Sequence, residues 1–176
     1  PDDGIYVLLK EVIDNSIDEF MRGYGRNIEV TIKDSQVSVR DYGRGMPLGK
    51  VIDCVARINT GGKFDDQAYD TAIGMNGVGV KAVNALSTMF FVSSVVNGKK
   101  KSARFSAGEI VEDFPICETD EHNGTFISFL PDDKLFENFH WYGEHVERLL
   151  WNYAYLNRGL TINFNGKKFV SKNGLL

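Results

Sequence analysis

Apolar and polar residues at the start of the chain recur with the period of an α-helix. Residues 4–22 therefore predict one helix, with an apolar face that contains Val12, Ile13, Ile17 and Phe20. The opposite face carries polar side chains three and four residues apart: Glu11, Asp14, Asn15, Asp18 and Arg22, flanked by Glu19. A solvent-exposed face of an amphipathic helix is the ordinary interpretation of such a stripe. Repulsion between like charges at these spacings weakens an isolated helix, however, and favours a functional role.

The rest of the chain alternates between strand and helix patterns. Residues 27–41 alternate apolar and polar positions around a polar turn, which predicts a β-hairpin. Further strands are predicted at 89–96, 101–107, 110–117 and 125–131, with a last hairpin at 160–171. Helices are predicted at 48–59, 78–87 and 134–157, the last with a core face of Leu135, Phe139, Val146, Leu149, Leu150, Tyr153 and Leu156.

This mixture of helices and hairpins predicts a single α+β domain over residues 1–176. We expect a two-layer α/β sandwich in which helices cover one face of a mixed, mostly antiparallel sheet. The composition, with 43% hydrophobic and 25% charged residues, agrees with a globular domain. A formal net charge of −4 argues against a broadly basic surface for nucleic acid. The two cysteines are far apart and fit a reducing cytoplasm, and no apolar run suggests a membrane partner.

The polar face of the first helix also suits a divalent cation. A carboxylate and an amide oxygen lie one helical turn apart on it. Mg²⁺ binds few protein oxygens and keeps its water or phosphate ligands, so such a pair is sufficient. Glu11 could then hold a water molecule instead of the metal.

A glycine-containing loop, "VRDYGRGMP" at residues 39–47, follows the first hairpin. Asp41 ends the strand, so its carboxylate is expected to face inward, where it can accept a hydrogen bond from an amino group such as that of adenine. Gly43 and Gly45 allow the backbone to approach a flat ligand closely, and Pro47 stiffens the rim. A simple turn without a ligand is the alternative interpretation.

A second glycine-rich segment, from Thr60 to Gly79, shows no clear period and predicts a mobile loop. Gly74, Gly77 and Gly79 precede a helix, so free N–H groups at the helix start can face an anion. "GVGVKA" fits the dinucleotide-binding pattern, but no strand precedes it as that motif requires. The P-loop pattern is absent from the sequence.

Taken in order, these motifs resemble the ATPase superfamily shared by DNA gyrase, heat-shock chaperones, histidine kinases and MutL proteins. "EVIDNSIDE", "DYGRGMP", "TGGKFDD", "GMNGVGVKAVNALS" and "NGTFISFLPD" look like the ATP-binding domain of a bacterial type IIA topoisomerase B subunit. The resemblance covers nearly the whole chain, and it implies the Bergerat-type ATP-binding fold. The short loop after "GRGMP" favours the topoisomerase IV branch over gyrase. The family often has His at Asn76 and Arg at Ser102.

The resemblance implies a role for each matching residue. Glu11 corresponds to the general base that orients the attacking water, and Asn15 to the Mg²⁺ ligand. Asp41, helped by Thr125, corresponds to the acceptor for the adenine amino group. The pocket rim would contain Arg44, Gly45, Met46 and Pro47, with Arg44 paired to Glu19 and Asp18 as a supporting residue. Apolar walls would come from Val12, Val39, Met46, Ile58 and Ile127.

The resemblance also implies an ATP lid over residues 59–79. Its contacts would be Lys63 and the N–H groups of Met75, Asn76, Gly77, Val78 and Gly79 to the phosphates, with Tyr69 on the adenine side. The family's N-terminal arm and transducer domain lie outside this chain. The resemblance therefore implies a monomeric domain that binds ATP and Mg²⁺ but hydrolyses ATP weakly.

The parent enzyme implied by the resemblance is a cytoplasmic, ATP-dependent DNA topoisomerase. It would contain a second B subunit and topoisomerase A subunits, and would pass one DNA duplex through another. A MutL- or chaperone-type ATPase is the nearest alternative. A nucleotide-sensing module that does not hydrolyse ATP and a plain interaction domain are further alternatives.

Overall fold

The computed structural model describes residues 3–56 and 78–171, with only the backbone of Asp3 and Val78. Its helices are α1 (Asp3–Met21), α2 (Val51–Val55, after a 3₁₀ turn at Leu48–Lys50), α3 (Val78–Ala85) and α4 (Gly143–Leu156). Its strands are β1 (Asn27–Lys33), β2 (Gln36–Asp41), β3 (Ser87–Val96), β4 (Lys99–Ser106), β5 (Glu109–Asp113), β6 (Cys117–Glu118), β7 (Gly124–Pro131), β8 (Thr161–Phe164) and β9 (Lys167–Val170). Within these described ranges, none of the helices has the length and apolar character to cross a membrane.

The described strands form one sheet in the order β5-β4-β3-β7-β2-β1-β8-β9, with β6 paired to β4. Neighbouring strands are antiparallel except β1 and β8, which run parallel. The predicted mixed, mostly antiparallel sheet is confirmed. One apolar core joins the helices to the sheet, and its largest fully buried side chains include Ile5, Leu9, Ile13, Phe90, Phe105, Phe129 and Leu150.

The strand turns follow the local sequence. Asn97 and Gly98 have φ values of 50° and 81°, and Asn165 and Gly166 have values of 49° and 90°. Positive φ at both central residues is the hairpin turn that Asn-Gly favours, so the predicted hairpin at 160–171 forms and β3 and β4 are joined by the same kind of turn. The strand predicted at 110–117 is instead divided into β5 and β6, because Pro115 between them has no N–H to donate to a sheet.

The structure corrects the long helix predicted at 134–157. Only the part from Gly143 onward is helical, and the residues before it form turns. Asn138 has the left-handed backbone conformation, with a φ of 54°, which interrupts a right-handed helix. The Trp141 indole N–H donates to the carbonyl oxygen of Ser35 at 3.0 Å. This segment is therefore held by a contact with the β1–β2 turn and not by helical hydrogen bonds.

The core face predicted for this helix is correct in its middle and wrong at its ends. Val146 and Leu150 are fully buried, and three further members pack partly buried against the core: Phe139, Leu149 and Tyr153. Leu135 and Leu156 are 57% and 63% exposed. Leu135 lies in the turn segment, and Leu156 is the last residue of α4, so neither faces the sheet.

Candidate functional site

The face of α1 that lines a cavity is rotated relative to the sequence prediction. Asn15 and Asp18 of the predicted polar stripe line the cavity, but so do Val12 and Ser16. Asp14 points elsewhere, because its carboxylate accepts a hydrogen bond from the Tyr153 hydroxyl on α4 at 2.6 Å. Burial raises the pKa of Tyr153, and the hydrogen bond to Asp14 raises it further. Asp14 thus connects two helices and does not belong to the cavity.

The cavity has a volume of about 790 Å³ and lies between α1, α2, α3, residues 44–47 and strands of the sheet. Ligand pockets commonly have volumes of roughly 300–1,000 Å³. The structure brings seven of the predicted site residues together in this one cavity, with three of the predicted apolar walls: Asn15, Asp41, Arg44, Gly45, Met46, Pro47 and Thr125, with Val12, Val39 and Ile127. It also contains residues that the sequence did not indicate: Ser16, Lys50, Asp53, Cys54, Val80, Lys81 and Val96.

Asp41 is a buried carboxylate at the end of β2, with 6% of its surface exposed. One oxygen, Oδ1, accepts hydrogen bonds from the backbone N–H groups of Gly43 at 3.0 Å and Thr125 at 3.2 Å. The other, Oδ2, accepts from the hydroxyl of Ser16 at 2.9 Å. Burial raises the pKa of Asp41, and these three hydrogen bonds lower it by less. A carboxylate oxygen has a further lone pair, so Oδ2 can accept one more hydrogen bond from a ligand.

Arg44, at the rim of the cavity, pairs with Glu19 of α1 as expected. The Arg44 guanidinium donates to Glu19 Oε1 at 2.7 Å, and its backbone N–H donates to Oε2 at 2.8 Å. The guanidinium also lies 4.3 Å from the ring centroid of Tyr24. Burial raises the pKa of Glu19, but the hydrogen bonds and charge of Arg44 outweigh it and leave the pKa lowered. With a further hydrogen bond from Arg44 Nε to Oε2 at 3.2 Å, three hydrogen bonds attach the rim to α1.

Glu11 lies beside the start of α3. A Cβ atom placed on Gly79 would be only 1.7 Å from Glu11 Oε2, so a glycine is required for this approach. Val80 and Lys81, which follow Gly79, line the cavity, whereas Glu11 is not among its described lining residues. Burial lowers the pKa of Lys81. The carboxylate of Glu11 is thus next to the cavity at its α3 end.

Several predicted contacts lie outside the described residues. These are Ile58, Lys63, Tyr69, Met75, Asn76 and Gly77, and they include five of the seven predicted lid contacts. Val78 and Gly79, assigned by sequence to the lid, belong to the first turn of α3. Ser102, at the position where the family often has Arg, donates a hydrogen bond to Ser93 at 3.2 Å and is 9% exposed.

The residues that sequence reasoning missed lie mainly on α2 and α3. Asp53 and Cys54 follow Lys50 by three and four positions, which is the spacing of one helical face. That spacing could have indicated a second wall of the cavity. Burial raises the pKa of the Cys54 thiol.

Comparison with known proteins places the chain in a class of ATPases. The two-layer fold and the buried carboxylate of Asp41 indicate the same class. The chain belongs to the family of histidine kinase-, DNA gyrase B- and HSP90-like ATPases, whose model matches residues 2–134. Within this family, its similarity is to the B subunits of type II topoisomerases.

Two curated relatives and one solved structure document this similarity. The chain is 51% identical to the B subunit of DNA topoisomerase 4 from Borreliella burgdorferi, over 99% of this chain and 29% of that protein. It is 34% identical to the B subunit of DNA gyrase from Campylobacter jejuni, over 94% of this chain and 23% of that protein. The 43K ATPase domain of Thermus thermophilus gyrase B, solved in complex with an aminocoumarin, matches with a TM-score of 0.77 and 31% identity. That match covers 98% of this chain and 48% of the other, so this chain spans only part of its relatives.

Proposed function

We propose that this chain is the nucleotide-binding part of an ATP-dependent DNA topoisomerase and that the cavity beside Asp41 binds ATP. The observation that carries the proposal is the hydrogen bonding of Asp41. Its Oδ1 is occupied by two backbone N–H groups, its Oδ2 has one acceptor position left beside the Ser16 hydroxyl, and Asp41 lines the cavity. An adenine amino group is a donor that would satisfy this position, whereas the carbonyl oxygen of guanine would not.

The walls of the cavity suit a flat purine ring. Val12, Val39 and Ile127 line it beside Asp41, and Met46 lies on the rim. An apolar cavity with a few polar groups at fixed positions binds a ligand in one orientation. The purine would therefore stack between apolar side chains while its amino group contacts Asp41.

The phosphates would extend toward the start of α3. The N-terminus of a helix attracts anions through its free N–H groups and its dipole. Lys81 in the first turn of α3 also lines the cavity and adds positive charge there. We further propose that the segment 59–77 supplies the lid contacts predicted from the sequence.

The described residues fit a Mg²⁺ ion that is bound mainly by nucleotide phosphates. They contain no group of three or more His, Cys, Asp or Glu side chains that could hold a metal alone. The amide oxygen of Asn15 lines the cavity, and Mg²⁺ accepts one or two protein oxygens beside phosphates and waters. When bound, the ion would neutralise phosphate charge; Asn15 is the residue that would hold it.

Glu11 is the proposed general base. A carboxylate beside the phosphate end of the cavity can accept a hydrogen bond from water and orient its oxygen toward the γ-phosphate. Glu11 is one helical turn before Asn15, so both side chains leave the same face of α1 toward the phosphates.

In the parent protein, ATP binding would bring two B subunits together, and hydrolysis would separate them again. This cycle, with the A subunits also present, would drive one DNA duplex through another in the bacterial cytoplasm. The isolated chain, which spans 48% of the solved gyrase B ATPase domain, is proposed to bind ATP as a monomer and to hydrolyse it weakly.

The test is a calorimetric titration of this chain with the non-hydrolysable analogue AMP-PNP, with and without Mg²⁺. We expect saturable binding that is tighter with Mg²⁺, and much weaker binding of the guanine analogue. Equal affinity for the adenine and guanine analogues would overturn the role of Asp41.

A second experiment separates hydrolysis from nucleotide sensing. In the full-length parent protein, Glu11→Ala should abolish ATP hydrolysis and retain AMP-PNP binding. If the wild-type parent protein binds ATP but never hydrolyses it, the nucleotide-sensing alternative replaces the proposed enzyme. If Glu11→Ala hydrolyses ATP at the wild-type rate, Glu11 is not the base.

A further inference from the structure

Ser94 on β3 bonds to both backbone polar groups of Met46. Its hydroxyl oxygen accepts a hydrogen bond from the Met46 N–H at 2.7 Å, and its O–H donates to the Met46 carbonyl at 2.8 Å. Ser94 has no exposed surface. The Ser94 hydroxyl is therefore shielded from water, and its removal leaves the N–H and the carbonyl of half-buried Met46 without this partner, at a cost in free energy.

The backbone next to Met46 lies directly on β3. Gly45 has a φ of 81°, and a Cβ atom there would be 2.7 Å from the carbonyl oxygen of Val95 and 2.9 Å from Ser94 Oγ. Residue 45 must therefore be glycine both for its conformation and for this close approach. The hydroxyl of Ser94 lies at the point where the loop and the strand meet.

The other side of the same loop is attached to α1 through Glu19 and Arg44, at 2.7 Å and 2.8 Å. Residues 44–47 thus extend from α1 to β3 along the rim of the cavity. With both sides attached, the distance of Met46 and Pro47 from the opposite wall is fixed before any ligand enters.

We infer that Ser94 is a positioning residue for nucleotide binding, which holds Met46 and Pro47 against the base through the backbone of Met46. This inference rests on the proposed function of the cavity. Among the described residues, Ser94 is not one that lines the cavity, so its effect passes through the loop. A hydroxyl is required because one group must both accept from an N–H and donate to a carbonyl.

The test compares two variants of this chain that have the same shape. Ser94→Thr keeps the hydroxyl, and Ser94→Val replaces it with a methyl group. We expect Ser94→Val to bind AMP-PNP at least about fivefold more weakly than Ser94→Thr, since two hydrogen bonds are lost. The same factor should appear with adenosine, because the loop contacts the base and not the phosphates. Hydrogen exchange at the Met46 amide should also be faster in Ser94→Val.

Ser94→Ala removes the hydroxyl without adding an atom, so it serves if the larger side chains prevent folding. Its matched control is Ser93→Ala, because Ser93 is also buried and its hydroxyl accepts from Ser102 on the neighbouring strand instead of contacting the loop. Ser94→Ala should weaken binding and Ser93→Ala should not. The inference would be overturned if Ser94→Val bound AMP-PNP as tightly as Ser94→Thr, and Ser94→Ala as tightly as Ser93→Ala, while the wild type still bound it. The proposed function would then remain. If the wild-type chain binds no adenine nucleotide, the proposed function is overturned. If hydrogen exchange at the Met46 amide is also unchanged in Ser94→Val, the positioning role of Ser94 is overturned as well.

Discussion

Ser16 of α1 donates a hydrogen bond to Asp41 of β2 across 2.9 Å, and both side chains are buried. This contact connects the two layers of the fold at the base of the cavity. It also orients Oδ2, the oxygen that has an acceptor position left for a ligand. The position of the carboxylate therefore depends on α1 as well as on its own strand.

Replacing Asp41 with Asn should weaken adenine-nucleotide binding. The Asn oxygen can still accept from Gly43 and Thr125, but its NH₂ group would then face the donor of the ligand. Loss of a hydrogen bond to a charged group predicts a decrease in affinity of roughly 10- to 100-fold. Titration calorimetry with AMP-PNP measures this decrease, and unchanged affinity would contradict the assignment of Asp41 as the acceptor for the adenine amino group. Asp14→Asn, outside the cavity, is the matched control.

The pH dependence of binding should report the pKa of Asp41. Because its pKa is raised above the ordinary value of 3.8, the carboxylate takes up its proton at a higher pH than an exposed aspartate. The ionised form is the acceptor, so affinity should be highest above the raised pKa of Asp41 and fall as the pH decreases through that pKa.

The Ser16 hydrogen bond lowers the pKa of Asp41. Ser16→Ala should therefore raise it and move the loss of affinity to still higher pH. Affinity measured from neutral to acidic pH for the wild type and Ser16→Ala tests the sign of the shift. A profile that moves to lower pH in the variant would contradict this account.

Gly79→Ala should separate stability from catalysis. Alanine is favoured over glycine in a helix by about 1 kcal/mol. The added Cβ would occupy the position of Glu11 Oε2, which is the free end of a flexible side chain and can move away. We expect stability to be kept while ATP hydrolysis in the full-length protein falls about tenfold or more, because the base is displaced.

Gly143→Ala is the matched control, since Gly143 also starts a helix and an added Cβ there has no atom within 4 Å. Its hydrolysis rate should equal that of the wild type. Equal rates in Gly79→Ala would show that the position of Glu11 beside α3 has no role in the reaction.

Cys54 should be protected from alkylation by nucleotide. It lines the cavity, and burial raises the pKa of its thiol, so iodoacetamide should react slowly at neutral pH and faster as the pH rises. With AMP-PNP at 100 times its Kd, about 1% of the sites are free and the rate should fall about 100-fold. Cys117 is exposed and outside the cavity, so its labelling, followed by mass spectrometry, is the internal control. Equal protection of both thiols would contradict the location of the site.

Tyr153→Phe should destabilise the chain without changing nucleotide affinity. It removes the hydrogen bond to Asp14, which is worth about 1 kcal/mol of unfolding free energy at a partly exposed site. Chemical denaturation measures the loss, and calorimetry the affinity. A weaker affinity for AMP-PNP in this variant would place Asp14 in the site after all.

The sequence predicted the sheet well, because hairpins are local. Period-two alternation specifies β1–β2, and alternation together with the Asn165-Gly166 turn specifies β8–β9, without reference to the rest of the chain. The error at residues 134–142 has a different origin. Residues 134–142 do show helical periodicity. The conformation of Asn138 and the contact of Trp141 with Ser35, however, depend on the β1–β2 turn, which is distant in the sequence.

The sequence predicted which chemical groups the site contains, but it predicted less well which side chains point into the cavity. The 3.6-residue period places Asp14 on the same face of α1 as Asn15. In the structure, however, Asp14 bonds to Tyr153 of α4, and Ser16 lines the cavity instead. Ser94 could not be assigned from its strand pattern. That pattern shows which face of β3 it occupies, but the partner is the backbone of a loop 48 positions away.

The parallel pairing of β1 with β8 has a consequence for synthesis on the ribosome. Asn27 pairs with Thr161, and Asp14 of α1 bonds to Tyr153, so β1 and α1 acquire these partners from residues made more than a hundred positions later. Domains emerge from the ribosome N-terminus first, at about 5–20 residues per second. The edge of the nascent β1 that pairs with β8 must therefore wait several seconds for its partner, and chaperones have that interval in which to bind it.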